Sequence, residues 1–285
     1  MTVKGKKLVL CCKVRCPDPA AERKTKPMGE LTKTEKTELM NCLLDMGQLL
    51  LESGAEISRV EDTLSRMAKA YGCTHIEVFA ITSIISLSVE FPGEDVFTET
   101  RRIYFSSGTD FTRLENLNRI SRSCCKNPLP VPELQKSLHQ VVSEEKHFET
   151  VLLGSILAAG GFTVFFGGSL WDGLAACVFA IGICLLQRKL GETQITPVGT
   201  NLLISLVTGL TVGFVCIAIP ALHMDKILIG DIMLLIPGLA ITNAVRNMLG
   251  GNTISGLVRL TESLIWAAAL AGGFMTAIMI VDLLL

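Results

Sequence analysis

The charged side chains of this 285-residue chain are crowded into its front. Residues 1–149 carry 42 of the 53 Lys, Arg, Asp and Glu residues, and the following 136 residues carry only 11. The apolar runs of that second part are too long and too rich in Gly and Ala to be amphipathic helices of a water-soluble bundle. No later stretch of the sequence offers a polar shell for them, so lipid is the expected cover. The near balance of 26 Lys+Arg against 27 Asp+Glu, with 49% hydrophobic residues, excludes a disordered chain, a collagenous repeat and a basic nucleic-acid binder.

Hydropathy separates five candidate crossings: Thr150 to Gly167, Leu170 to Gln187, Val198 to Pro220, Ile227 to Asn247, and Ile254 to Leu285. Each is close to or above the ~20 residues that a bilayer core requires at ~1.5 Å rise per residue. With the front part in the cytoplasm, Arg188, Lys189, Arg246 and Arg259 fall on the inner side and only Lys226 outside, as the positive-inside rule asks. The expected fold is therefore a membrane protein: a soluble α+β N-terminal domain followed by an all-α bundle of five transmembrane helices. Its divisions are a flexible tail over 1–29, a cytoplasmic α+β domain over 30–127, a linker and entry helix over 128–149, and the bundle over 150–285, with the C-terminus outside.

In the front part, Thr32 and Glu35 have capping-box spacing, and Leu39, Leu43, Met46 and Leu50 follow at helical intervals. Ser53 and Glu56 repeat that spacing beside Gly54, predicting a second helix through Ile57, Val60, Leu64 and Met67 that stops at Tyr71-Gly72. Alternating β-branched residues from Ile76 to Val89, then Arg102 to Phe105 beyond Pro92-Gly93, predict a small sheet. Asp110 to Ser121 returns to helical spacing, and Asn127-Pro128 and Val131-Pro132 mark a linker before a helix from Glu133 to Phe148.

Catalytic chemistry is not legible here. There is no Walker A loop, GxGxxG, GxSxG or HExxH. The histidines His75, His139, His147 and His223 have no paired ligand spacing, and the ten cysteines, including the clustered Cys11, Cys12 and Cys16, contain no Cys-x-x-Cys. Neither metal, cofactor nor disulfide is expected. The acidic run Glu52, Glu56, Glu61 and Asp62 with Arg59 reads as a solvated face or a set of inter-helix ion pairs sooner than as a cation site.

The fourth crossing is more informative. Pro237-Gly238 sits about ten residues in from Ile227, ~15 Å deep and near the midplane, where proline removes an amide donor and breaks or kinks the helix. A broken helix presents the positive end of its second half to an anionic group, so Pro237, Gly238, Thr242 and Asn243 are candidate contacts for a substrate carboxylate. Arg246 and Asn247 follow at i,i+4 spacing from Thr242 and Asn243, and are candidate gating or coupling groups. The competing account is a repaired proline kink with Arg246 reaching to headgroups.

Arg259 and Glu262, one turn apart at the start of a fifth segment longer than one crossing needs, join the gating or coupling candidates. Depth decides whether Glu262 is an ion site or an interfacial partner of Arg259, and Asp231 is ambiguous in the same way. In the third crossing Gly209 and Gly213 form GxxxG, which favours close helix packing, while Asn201, Ser205 and Thr208 share a face that could line a polar route.

Three stretches, Leu51 to Thr63, Ile236 to Arg246 and Gly250 to Leu260, resemble the threonine/serine exporter family of bacterial inner-membrane proteins, in order and across both halves from about Leu39 onward. The resemblance implies a secondary transporter, driven by an ion gradient, for small amino acids or, in two-component systems, a dicarboxylate such as succinate. It further implies that this chain corresponds to the first half of full-length members, so that a small membrane partner subunit is expected, with a homo-oligomer as a further possibility. Asn247 departs from the acid that the family pattern leads one to expect, which puts proton coupling at that position in doubt. A membrane-anchored hydrolase and a non-transporting regulatory subunit are the alternatives.

Overall fold

The computed structural model describes residues 32–103, 109–143, 148–191 and 195–284. The expectations for the 1–29 tail, Cys11, Cys12, Cys16, Tyr104, Phe105 and His147 lie outside the described residues.

The front part pairs two helices, α1 (Lys33–Glu52) and α2 (Ile57–Ala70), with an antiparallel sheet of β1 (His75–Ile81), β2 (Ile84–Glu90) and β3 (Val96–Arg102) in that order. Two more helices follow, α3 (Phe111–Lys126) and α4 (Val131–Ser143). The capping box at Thr32 and Glu35 forms in full, closing the start of α1. The second capping pair does not. Ser53 instead ends α1, its hydroxyl donating to the Leu49 carbonyl, and α2 starts at Ile57 without a side-chain cap. Gly54 turns the chain there at φ +88°, a conformation that side chains with a Cβ rarely adopt.

The third strand also differs from expectation, running over Val96–Arg102 rather than beginning at Arg102. Its sequence alternates weakly because one face is solvated, and Thr98 and Thr100 pair their hydroxyls with Ser88 and Ser86 of β2. The buried face of β2, Ile85, Leu87 and Val89, packs with Leu43, Met46, Leu64 and Met67 into one core. The ion pairs Arg101–Asp45 and Lys36–Glu94 tie α1 to the sheet and its loop.

Seven described cysteines are free thiols. Burial pushes Cys42 and Cys73 up to about 11, and the Asp45 and Glu38 carboxylates act on Cys42 in the same direction. Since the thiolate is the nucleophile, a maleimide at neutral pH should leave both unmodified in the folded chain and modify both in denaturant, read by mass of the cysteine peptides. Rapid labelling of either in the folded chain would contradict this core.

The second part is helical: α5 (Phe148–Phe165), α6 (Leu170–Gly191), α7 (Pro197–Ala218), α8 (Met224–Leu235), α9 (Gly238–Leu249) and α10 (Thr253–Leu284). Among the described residues, α5, α6, α7 and α10 are each long and apolar enough to cross a membrane. The pair α8 and α9 qualifies only together and bends by 50° at its break, so the count is four, or five if the bent pair is one crossing. Their large apolar side chains, among them Leu157, Trp171, Val178 and Met275, point outward. Such a surface is stable only against lipid or another apolar partner.

The glycines of α7 do the packing work expected of GxxxG. A Cβ on Gly209 would lie 2.6 Å from Ala277 Cβ, and one on Gly213 2.5 Å from a Val281 methyl, both on α10. Ser205 and Thr208 are buried in that same region, and the Ser205 hydroxyl donates back to the Asn201 and Leu202 carbonyls. The Ser205 hydroxyl is thereby bonded to its own helix where α7 meets α10.

Candidate functional site

The helix break is built by three residues. Ile236 at ψ 128° and Pro237 at ψ 54° leave the helical region, and α9 restarts at Gly238. Gly238 needs no unusual φ, and a Cβ added there would meet nothing within 4 Å, so its value is the open space beside it. Its amide is not free, since it donates to the Ile236 carbonyl at 2.8 Å. The amides of Leu239 and Ala240, at the second and third positions of α9, are the ones left without a carbonyl four residues back.

These amides border a cavity of about 680 Å³. Pro237, Gly238 and Asn243 line it from the broken helix, and Arg259 and Glu262 line it from α10. The structure thus brings together five of the eight residues singled out in the sequence. The other three lie elsewhere. Thr242 turns its hydroxyl to the Gly238 carbonyl at 2.9 Å, on an exposed face. Arg246 reaches out of the bundle to the Glu56 carboxylate at 2.7 Å. Asn247 is buried, with its Nδ2 lacking a hydrogen-bond acceptor.

The acidic run containing Glu56 is likewise dispersed into separate contacts. Glu52 accepts from Gln48, Glu61 accepts from the Ala80 amide, and Asp62 pairs with Arg66. Among the described residues no three His, Cys, Asp or Glu side chains gather into a group that could hold a metal ion.

The cavity lies toward one end of the bundle. The cavity meets α7 at Thr200, Asn201 and Ile204, no more than ~10 Å from its first residue, and meets α6 at Gln187 and Gly191 near its last. Measured along α8, Pro237 lies ~20 Å beyond Met224. The cavity therefore reaches the end of the bundle that faces the front part, and Gly54 and Thr109 of the front part contribute to its wall.

Sequence reading missed Gln187, Ser263, Trp266 and these two front-part residues. A signal existed for part of this set, because Arg259, Glu262, Ser263 and Trp266 recur at three- and four-residue spacing and so share one face of α10. None existed for Gly54 and Thr109, which approach only through the tertiary arrangement.

The electrostatics are mixed. Two backbone amides at a helix start and the Arg259 guanidinium offer positive potential to a carboxylate, Asn243 offers an amide, and Glu262 places a carboxylate in the same space.

Residues 41–281 match the family model ThrE, described as "Putative threonine/serine exporter". The chain belongs to the threonine/serine exporter family. It is 23% identical over 272 residues to the "Probable threonine/serine exporter" of Mycobacterium tuberculosis, covering 93% of this chain and 50% of that protein. To the "Threonine/serine exporter" of Corynebacterium glutamicum it is 21% identical over 271 residues, 90% of this chain and 55% of the relative. A match of 24% over 239 residues, 83% of this chain and 89% of the relative, links it to the "Probable succinate transporter subunit YjjP" of Klebsiella aerogenes. The chain thus spans about half the length of the first two relatives. No solved structure matches. The family is one of membrane exporters with bacterial members, not of enzymes.

Proposed function

We propose that this chain is the substrate-binding subunit of a secondary active exporter, and that the cavity beside the α8–α9 break receives a small carboxylate-bearing metabolite from the cytoplasm. The observation that carries this reading is the joint placement of the Leu239 and Ala240 amides, Asn243 and Arg259 around one cavity whose wall includes the front part. An uncovered helix start and a guanidinium recognise a carboxylate without further parts.

The bent pair is read as a single crossing. The Arg246–Glu56 ion pair holds α9 to the front part, while α8 begins at the other end of the bundle, beside the end of α7. A chain that leaves from one side and arrives at the other has crossed. Five crossings then put the front part in the cytoplasm and the C-terminus outside, in agreement with the cation distribution. A small membrane partner subunit completes the transporter in this reading. Its support is that both exporters are about twice as long as the stretch matched here, and that the relative of similar length is named as a subunit.

Within the carboxylate class, a zwitterionic amino acid fits better than a diacid. Arg259 and the amides complement a carboxylate, and Glu262 complements an ammonium while repelling a second carboxylate. Efflux of labelled threonine, serine and succinate from cells expressing the chain with its partner, with and without a pH gradient, tests the assignment. Absence of efflux for all three by folded protein would reject it.

Glu262→Gln removes the ammonium partner and the repulsion together, and is expected to shift the threonine-to-succinate ratio by roughly tenfold toward succinate, about 1.4 kcal/mol of discrimination. An unchanged ratio would remove Glu262 from the recognition site.

The Glu56–Arg246 pair is partly exposed, so breaking it should cost at most about 1 kcal/mol of stability. Its expected effect is on transport. Glu56→Arg and Arg246→Glu should each slow efflux, and the double charge swap should restore it. Failure of the swap to restore efflux would show that the pair does not hold the two parts in register.

A further inference from the structure

Asp231 is wholly buried in α8, and neither of its carboxylate oxygens has a hydrogen-bond partner. Its surroundings do not suit a charge. The adjoining Gly230 fits against the Ala159 carbonyl and the Thr163 hydroxyl of α5 so closely that even a Cβ there would collide, so α8 and α5 are in close contact beside it. An ionised carboxylate at such a place has neither solvent nor donor to stabilise it, whereas a neutral carboxyl tolerates the site.

The surrounding helices supply no counter-charge. On α5 the acid Glu149 lies at the far end of the helix, beside the front part. On α6, Asp172 is engaged by Ser169 and His223, Cys177 donates to the Ile156 carbonyl, Cys184 is a free thiol, and Arg188 and Lys189 lie at the opposite end. Cys216 is the titratable group of α7, and on α8 itself Asp225 and Lys226 pair with each other.

Position along the helix gives the burial a use. Asp231 lies three and four residues before Leu234 and Leu235, which line the cavity, and on the side of the cavity away from the front part. It therefore stands in the closed wall between the cavity and the opposite end of the bundle. Opening the cavity to that opposite end, as the proposed export cycle requires, must separate helices around α8 and wet this side chain.

We propose that Asp231 is the proton-binding group of the transport cycle, holding a proton while the wall is closed and exchanging it with water on the far side when the wall opens. This rests on the exporter reading. The step is a protonation alone: one carboxylate oxygen takes or gives one proton, and no other bond changes.

The test has two readouts on the full chain. In lipid nanodiscs at neutral pH, infrared spectra of wild type should contain a protonated-carboxyl carbonyl band that Asp231→Asn lacks. Absence of that band from the wild type overturns the proposal whether or not transport is seen. In proteoliposomes with the partner, Asp231→Asn should lose pH-gradient-driven accumulation of threonine while keeping threonine–threonine exchange, and Asp231→Glu should retain a gradient response. Unchanged gradient-driven accumulation in Asp231→Asn, or joint loss of accumulation and exchange in folded protein, overturns it. If wild type shows neither activity for any carboxylate tested, the exporter reading falls, and the infrared band alone then decides whether Asp231 binds a proton. Should Asp231→Asn fail to fold, the pH titration of the band in wild type carrying labelled aspartate, with Asp231→Glu as the shifted control, decides the matter.

Discussion

Replacing Pro237 and Gly238 together with alanine is expected to reduce efflux by more than about tenfold while expression and membrane insertion stay at wild-type levels. Neither change introduces a clash, because a Cβ at Gly238 meets open space. Both favour a continuous helix. Residue 237 regains an amide able to donate to the Met233 carbonyl, and loss of a proline from a helix interior favours helix by about 3 kcal/mol. A straightened helix would have to give up the 50° bend, move α9 off α10 and hide the Leu239 and Ala240 amides in ordinary helical bonds. Wild-type efflux from the double variant, measured beside quantified membrane protein, would refute the break as the substrate site. Gly238→Leu offers a separate check, since it would fill the cavity from the open side of Gly238 without restoring the helix.

The largest stability effect is expected at Gly273. A Cβ there would collide with the Ser205 hydroxyl and lie 2.6 Å from the Leu202 carbonyl and 3.0 Å from the Leu206 amide. Two of these three atoms are backbone, so α7 and α10 must separate to admit it, and overpacking of this kind costs about 3 kcal/mol or more. Both helices also line the cavity, α7 through Asn201 and Ile204 and α10 through Arg259 and Trp266. Gly273→Ala should therefore lower thermal stability in detergent and abolish efflux together. Gly272→Ala is the internal control, because its Cβ would come no closer than 4.0 Å to a Leu202 methyl. Equal stability of the two variants would show that α7 and α10 are not in the close contact described.

Much of this architecture was legible beforehand because the relevant forces are local or compositional. Long uncharged runs admit few environments, and the boundaries of α6, α7 and the α8–α9 pair follow from them. Thr32 and Glu35 cap α1 as their spacing requires, since a capping box is made within four residues. The break at Pro237 was equally readable, because a missing amide and a steric clash with the preceding turn are properties of the proline itself.

Other features were out of reach. Ser53 had the spacing of a cap for α2 and became the end of α1, a choice decided by the turn at Gly54 and by the Asp110 amide, which donates to the Ser53 carbonyl from 57 positions away. Strand β3 escaped recognition because its register is imposed by pairing with β2, while its own alternation is blurred by polar residues on the solvated face.

Sequence by itself determined that roughly half of this chain needs an apolar medium, where its helix would break, and which family it resembles, since each follows from residue chemistry or order alone. Tertiary structure alone decided which polar groups share a cavity. It sent Arg246 out to Glu56, left Thr242 bonded to its own helix, gathered Arg259, Glu262 and Trp266 around one cavity with Asn243, and sealed Asp231 away from every donor. The reason is physical: the spacing of residues on one helix says which side chains share a face, but the direction in which that face points depends on neighbours distant in sequence, and here those neighbours are held close by glycines that leave backbones almost touching.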